Sequence, residues 1–220
     1  MNMKGVQIAS FSLSAEDVGG DFHDIISLSP NYLGIIIADV AGKGSQAFKF
    51  ASYLKEIIHG LATSEMDINS LMKEINGRVF LKAKSGMFVT LVYGILDLST
   101  RKFSCVNAGQ VAPFVIEGST ILRMDASEPP LGSLRTIEFT KIEILLKPAD
   151  VLILFTDGIS EAINVDEEQF GEQRLINIVR ENQSLPSIEI IHKINKEVQS
   201  FTNMQTLKDD ATVIALKVVQ

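Results

Sequence analysis

Gly19-Gly20-Asp21-Phe22-His23-Asp24-Ile25-Ile26-Ser27-Leu28-Ser29-Pro30-Asn31-Tyr32-Leu33-Gly34-Ile35-Ile36-Ile37-Ala38-Asp39-Val40-Ala41-Gly42-Lys43-Gly44 is the stretch on which the rest of the chain depends. The spacing predicts strands over Phe22–Ser29 and Tyr32–Val40, joined by the turn signal Pro30-Asn31. Such a hairpin would bring Asp21 and Asp24 to the same end of the sheet as Asp39. Carboxylates at strand ends, with glycines that let the backbone come close, are what a hard cation with oxygen ligands requires.

Before this hairpin the spacing predicts a strand over Val6–Leu13. After it, Ala47, Phe50, Ala51, Leu54, Ile57, Ile58 and Leu61 recur at three and four, one apolar face of a helix. Asp67 or Asn69 starts a second helix with Ile68, Leu71, Met72, Ile75 and Val79 inward. Two helices in succession argue against alternating strand and helix units. Strands are then expected over Met87–Leu98, Lys102–Ala108, Ala112–Glu117, Thr120–Met124, Thr136–Leu146 and Val151–Asp157, separated by turn signals such as Glu117-Gly118-Ser119 and Pro148-Ala149-Asp150. Helices near Gln173–Glu181 and from about Ser187 to Phe201 follow, and a strand over Ala211–Val219. A strand meander with helix pairs in two places predicts an α+β fold of two mainly antiparallel sheets, with helices covering both outer faces.

With 220 residues, 46% of them apolar, the chain can fill one large core, and residues 1–220 are expected to be a single domain. A net charge of -7 with no Lys/Arg run speaks against nucleic acid or anionic lipid as the main partner. No apolar run approaches the length of a membrane span. A lone cysteine, Cys105, and no secretory leader pattern make the cytoplasm the expected compartment.

Asp157, in Phe155-Thr156-Asp157-Gly158, ends the most apolar strand of the second half as Asp39 ends that of the first. Asp209-Asp210 lies just before the last strand. Taken alone, an aspartate at a strand end is more often a turn or helix cap. Recurrence is what points to metal: crowded carboxylates repel one another, and a divalent cation is the usual remedy.

The series Gly19-Gly20-Asp21-Phe22-His23-Asp24, Asp39-Val40-Ala41-Gly42-Lys43-Gly44, Asn107-Ala108-Gly109, Pro130-Leu131-Gly132, Thr156-Asp157-Gly158-Ile159-Ser160-Glu161-Ala162, Phe170-Gly171 and Asp209-Asp210-Ala211-Thr212 resembles the metal-dependent serine/threonine protein phosphatases (PPM superfamily), in the bacterial SpoIIE/RsbU-type branch. Order and spacing agree along nearly the whole chain, which makes the match far more specific than a single glycine motif. The resemblance implies a four-layer αββα sandwich and a centre of two divalent ions, Mn or Mg. It implies Asp21, Asp39, Asp157 and Asp209 as acidic ligands and catalytic residues, and the Val40 carbonyl as a further ligand. Asp210 would support Asp209 or reach the other ion. Two ions about 3.5–4 Å apart can activate a water for direct attack on phosphorus, with no protein nucleophile. The implied substrate is a phosphorylated protein, an anti-sigma factor antagonist or related regulator. Such domains often follow a sensor or receiver domain, so the chain is expected to be free-standing or a fragment of a longer protein.

Eukaryotic-type relatives carry a histidine where Ala41 stands, and the branch often has one at Gln110. His23 is expected to be an ordinary exposed strand residue, His59 and His192 surface or boundary residues, and Cys105 a buried, inert one. Val40 to Ala47 also fits Gly-x-Gly-x-x-Ala, but a second helix follows where a parallel strand should, and Asp39 would face the pyrophosphate. A phosphate-binding loop would need a glycine and a hydroxyl where Ile37 and Gly44 stand. The acidic turn Asn164-Val165-Asp166-Glu167-Glu168 lacks the alternating ligands and central glycine of a calcium loop. From a different class, the rival is a non-catalytic binding module that keeps the phosphatase fold to regulate a signalling partner. Retention of every aspartate in the set argues against it.

Overall fold

The computed structural model describes residues 1–3, 5–63, 67–83, 86–125 and 128–219. In chain order the elements are β1 (Asn2–Met3), β2 (Val6–Leu13), β3 (Phe22–Ser29), β4 (Tyr32–Val40), α1 (Gly44–Leu61), α2 (Ile68–Lys82), β5 (Val89–Asp97) and β6 (Lys102–Ala108). They continue with β7 (Phe114–Glu117), β8 (Thr120–Arg123), β9 (Ile142–Leu145), β10 (Val151–Phe155), α3 (Asp157–Ser160), α4 (Glu172–Glu181), α5 (Ser187–Phe201) and β11 (Ala211–Val218). The predicted α+β class holds, and every strand pair between these elements is antiparallel.

The chain divides into two compact units. One, made of Val18–Ala112 and Met124–Leu146, carries the sheet β3-β4-β5-β6-β9. Helices α1 and α2 pack on one face of it, against β4 and β6. Their inward residues Leu54, Ile58, Leu71, Met72, Ile75 and Val79 are fully buried against Ile36, Ala38, Val40, Leu91, Val106 and Ala108. Each such side chain contributes about 1.5–3 kcal/mol by leaving water. Asp67 caps α2 as expected, its carboxylate accepting the Ser70 N–H at 3.1 Å. Alternation along β4 sends Ile36, Ala38 and Val40 toward the helices and Ile35, Ile37 and Asp39 to the opposite face.

The other unit, made of Met1–Asp17, Pro113–Arg123 and Lys147–Gln220, carries the sheet β1-β2-β11-β10-β7-β8. Helix α5 packs on β2 and β11, and α4 packs on α5. All eight residues of β11 are buried, as suits the strand between β2 and β10.

Two strand expectations need correction. Strand structure over Thr136–Leu146 is confined to Ile142–Leu145. Ile137 and Phe139 are buried in the core beneath α1 and α2, but Thr140 N–H goes to the Glu128 carboxylate rather than to a ladder. Alternation there records burial, not strand pairing. The strand expected to reach Asp157 ends at Phe155, and Asp157 opens the single turn α3. A two-residue strand, Asn2–Met3, was not foreseen; it is too short to leave a period.

Candidate metal centre

In the first unit the β3–β4 ladder pairs Phe22 with Ala38, which sets Asp21 across from Asp39 one step on. Phe22 packs on the helix side, so Asp21 and Asp39 share the opposite face, where directly opposed side chains stand about 4.5–5.5 Å apart at Cβ. Asp21 Oδ1 is buried. Gly20 completes the corner. A Cβ at position 20 would lie 2.8 Å from the Val40 carbonyl oxygen, 3.3 Å from Ala47 Cβ and 3.7 Å from Asp39 Oδ1. Only glycine lets the backbone sit this close. The corner therefore gathers two carboxylates and a carbonyl, hard oxygen donors of the kind that Mg²⁺ and Mn²⁺ take.

In the second unit Asp157 follows β10 and stands across from the start of β11. The ladder runs on past Phe155–Val213 through Thr156 N–H to Thr212 O at 3.0 Å and Thr212 N–H to Thr156 Oγ1 at 2.9 Å. Gly158 is pressed onto the Asp210 carbonyl: an added Cβ would lie 2.0 Å from that oxygen. Asp210 Oδ1 accepts the Ala15 N–H at 2.9 Å, and Asp210 N–H donates to Asp209 Oδ1 at 2.9 Å. Asp209 itself is exposed. Burial, together with the negative charges of Glu161 and Asp209, pushes the Asp157 carboxyl above its ordinary value. A bound cation acts in the opposite direction.

The structure thus brings Asp21, Asp39 and the Val40 carbonyl together in one unit, and Asp157, Asp209 and Asp210 in the other. Among the described residues, no group of three or more His, Cys, Asp or Glu side chains is arranged to hold a metal ion by itself. Asp24, expected at the same end of the sheet as Asp21 and Asp39, is on the other face of it. Three residues on from Asp21 in a period of two, it falls on the helix side opposite Ile36. There its Oδ2 meets His59 Nε2 at 2.7 Å and Lys55 Nζ at 3.0 Å.

His23 is not an exposed strand residue. It is half-buried, and that burial pushes its imidazole below the ordinary value despite the attraction of Asp24, with Lys55 adding to the shift, so it is neutral at pH 7. His59 and His192 are at the surface. Cys105 is buried as expected, its thiol pushed up to about 12 by burial, with its Sγ 3.6 Å from Met124 Sδ. Gln110 is 5% exposed, its N–H bonded to Asn107 Oδ1 at 2.9 Å. Asn164 Oδ1 accepts the N–H groups of Asp166 and Glu168, which accounts for the acidic turn as a turn. No helix among the described residues is long and apolar enough to cross a membrane.

This fold is that of the PP2C phosphatases. The PP2C phosphatase domain of the cell fate determinant SpoIIE from Bacillus subtilis matches with a TM-score of 0.84 at 22% identity, over 97% of this chain and 63% of that one. The catalytic domain of the serine threonine protein phosphatase PstP, solved with 2 manganese ions, matches with a TM-score of 0.71 at 13% identity, over 98% and 99%. The sequence model of the family described as Stage II sporulation protein E (SpoIIE) matches residues 29–219, and the chain belongs to that family. The matched span contains Asp39, Val40, Asp157, Asp209 and Asp210; Asp21 lies before it. Protein IcfG of Synechocystis sp. is 28% identical over 96% of this chain, and phosphoserine phosphatase RsbU of Bacillus subtilis is 24% identical over 97%. The chain spans 37% of the length of the first relative and 64% of the second.

Proposed function

We propose that this chain is a metal-dependent protein serine/threonine phosphatase that hydrolyses phosphoserine or phosphothreonine on a bacterial regulatory protein. The observation that carries the reading is the Gly20–Asp21–Asp39–Val40 corner: two carboxylates and a carbonyl on one sheet face, closed by a glycine that no other residue could replace without displacing the Val40 carbonyl. Asp21, Asp39, Asp157, Asp209 and the Val40 carbonyl are the ligands in this reading. Two divalent ions, manganese or magnesium, supply an activated water and neutralise the phosphoryl oxygens when bound.

The chain's own residues do the rest. The Asp210 carboxylate accepts the Ala15 N–H and its backbone N–H donates to Asp209 Oδ1, so it orients Asp209 and would leave that side chain's other oxygen for an ion. Gly158 packs the Asp157 turn onto the same segment. Neutral, half-buried His23 lies on the face that carries Asp21 and adds no charge to it. The phosphoserine phosphatase name of RsbU supports a phosphoserine substrate, and an anti-sigma factor antagonist is the carrier we favour. A sensor or receiver domain or protein upstream is the expected regulator, and the cytoplasm the expected compartment.

Phosphate release from a phosphoserine protein should require added MnCl₂ and stop with EDTA. Asp21→Ala and Asp157→Ala should each lose at least about 100-fold in kcat/KM, about 2.7 kcal/mol of transition-state stabilisation. Equal rates for parent and variants in manganese buffer would refute the assignment.

A further inference from the structure

The buried face of α2 reads Ile68, Leu71, Met72, Ile75 and Val79, and one polar residue shares it: Asn76, 1% exposed. An amide buried among apolar side chains is costly unless every polar atom finds a partner. Asn76 meets that condition by gripping a single loop from both ends. Its Nδ2 donates to the carbonyls of Leu134 at 3.1 Å and Arg135 at 3.3 Å, and its Oδ1 accepts the Gly132 N–H at 2.9 Å.

The loop continues into the sheet. Leu131 and Val89 exchange hydrogen bonds, Leu131 N–H to Val89 O at 2.8 Å and Val89 N–H to Leu131 O at 3.0 Å. Val89 is the ladder partner of Val40, and the Phe88 carbonyl accepts the Ala41 N–H at 2.9 Å. Two glycines with positive φ seat the loop. A Cβ on Gly109 would lie 2.7 Å from Pro130 Cγ, and one on Gly132 would lie 2.9 Å from Val79 Cγ1. Asn107-Ala108-Gly109 and Pro130-Leu131-Gly132 together form a clasp between α2 and the end of β4.

We propose that Asn76 is a positioning residue for the Val40–Ala41 corner. Acting through the Gly132–Arg135 loop and the Leu131–Val89 bridge, it fixes the direction of the Val40 carbonyl. The consequence for metal rests on the ligand set proposed above; the mechanical link does not.

The test compares the parent with Asn76→Ala, Asn76→Asp and Leu71→Ala on the full chain. Asn76→Asp keeps the acceptor for Gly132 but turns an oxygen toward the Leu134 and Arg135 carbonyls. Leu71→Ala removes packing from the same helix and leaves the loop's hydrogen bonds in place. In metal-free buffer, amide hydrogen exchange at Ala41 and Val89 should accelerate at least about 10-fold in both Asn76 variants relative to the mid-strand amides Val92 and Tyr93, and not in Leu71→Ala. Calorimetric titration with MnCl₂ should show a Kd raised about 10-fold in the Asn76 variants and within about twofold of the parent in Leu71→Ala. Uniform exchange across β5 would overturn the clasp. Selective exchange with an unchanged Kd would overturn the positioning role. A parent chain that binds no Mn²⁺ overturns the ligand set, and the exchange data then decide the clasp alone.

Discussion

Gly158→Ala places the heaviest demand on the account of the Asp157 turn. The added methyl would sit 2.0 Å from the Asp210 carbonyl oxygen, 2.8 Å from its carbonyl carbon and 3.3 Å from Ala211 Cα. Carbon and oxygen normally stop more than an ångström short of the first of these distances. All three atoms are backbone at the start of a fully buried strand, so no rotamer change relieves the overlap. Over-packing costs about 1–3 kcal/mol, and a rigid neighbour puts this case at the upper end, about 3 kcal/mol. For a chain of this size each kcal/mol is worth about 2–4 °C, so Tm should fall by about 6–12 °C. Gly77→Ala supplies the opposite sign. Gly77 is inside α2 with nothing within 4 Å of its missing Cβ, so alanine should gain about 0.5–1 kcal/mol and raise Tm by about 1–4 °C. Melts followed by circular dichroism in EDTA at pH 7 measure both. A Gly158→Ala chain melting within about 2 °C of the parent would show that the Asp210 backbone gives way, and a Gly77→Ala chain melting below the parent would show that position 77 is not open.

Mn²⁺ at about a hundred times its Kd should stabilise the chain by about 2.7 kcal/mol, a rise of about 5–11 °C in Tm, and Asp39→Asn should abolish that rise without magnesium or manganese restoring it. Tyr93 is buried with its hydroxyl against the notch over Gly34, unbonded among the described residues, and burial pushes its phenol up to about 12. Tyr93→Phe should therefore raise the urea midpoint, by about 1 kcal/mol in stability; a fall would show that the hydroxyl has a partner. Burial pushes the Asp24 carboxyl up, but hydrogen bonds from His59, Lys55 and the Ile25 N–H outweigh it and hold the group below its ordinary value. Its stabilisation is thus fully present above the unfolded carboxylate value of about 4 and is lost as pH falls through the lower folded value. The Tm gap between parent and Asp24→Asn should close as pH falls below about 4; a gap that grows there would reverse the sign.

Much of the architecture was legible because period and punctuation coincide. The bounds of β2, β3, β4 and β6 follow from apolar runs cut by Pro30-Asn31 and by glycine, and α1 from its three-and-four spacing. Where the two signals separate, the sequence misleads. Ile137 and Phe139 alternate because they are buried, while the Thr140 N–H that follows them goes to the Glu128 carboxylate and not to a neighbouring strand. For the candidate centre, aspartate beside glycine at strand ends was visible, but the sheet face was not: a count of three separates Asp24 from Asp21 and sends it to α1. Asn76 escaped notice because it interrupts an apolar face instead of adding to it. Its signal was there all the same, a polar residue between Ile75 and Val79 at a position the helix period assigns to the core.

The strand order of the second unit has a consequence for synthesis. Its sheet runs β1-β2-β11-β10-β7-β8, so the strand at its middle is the last one made. The Val18–Leu146 region can assemble β3-β4-β5-β6-β9 as soon as residue 146 has left the ribosome. Until Ala211–Val218 appears, β2 and β10 each present an unpaired, apolar edge, which is where wrong partners attach. A ribosome that stalls near Asp210 would hold a chain with one sheet finished and the other open along its centre, and a chaperone would find its binding site on β2 or β10.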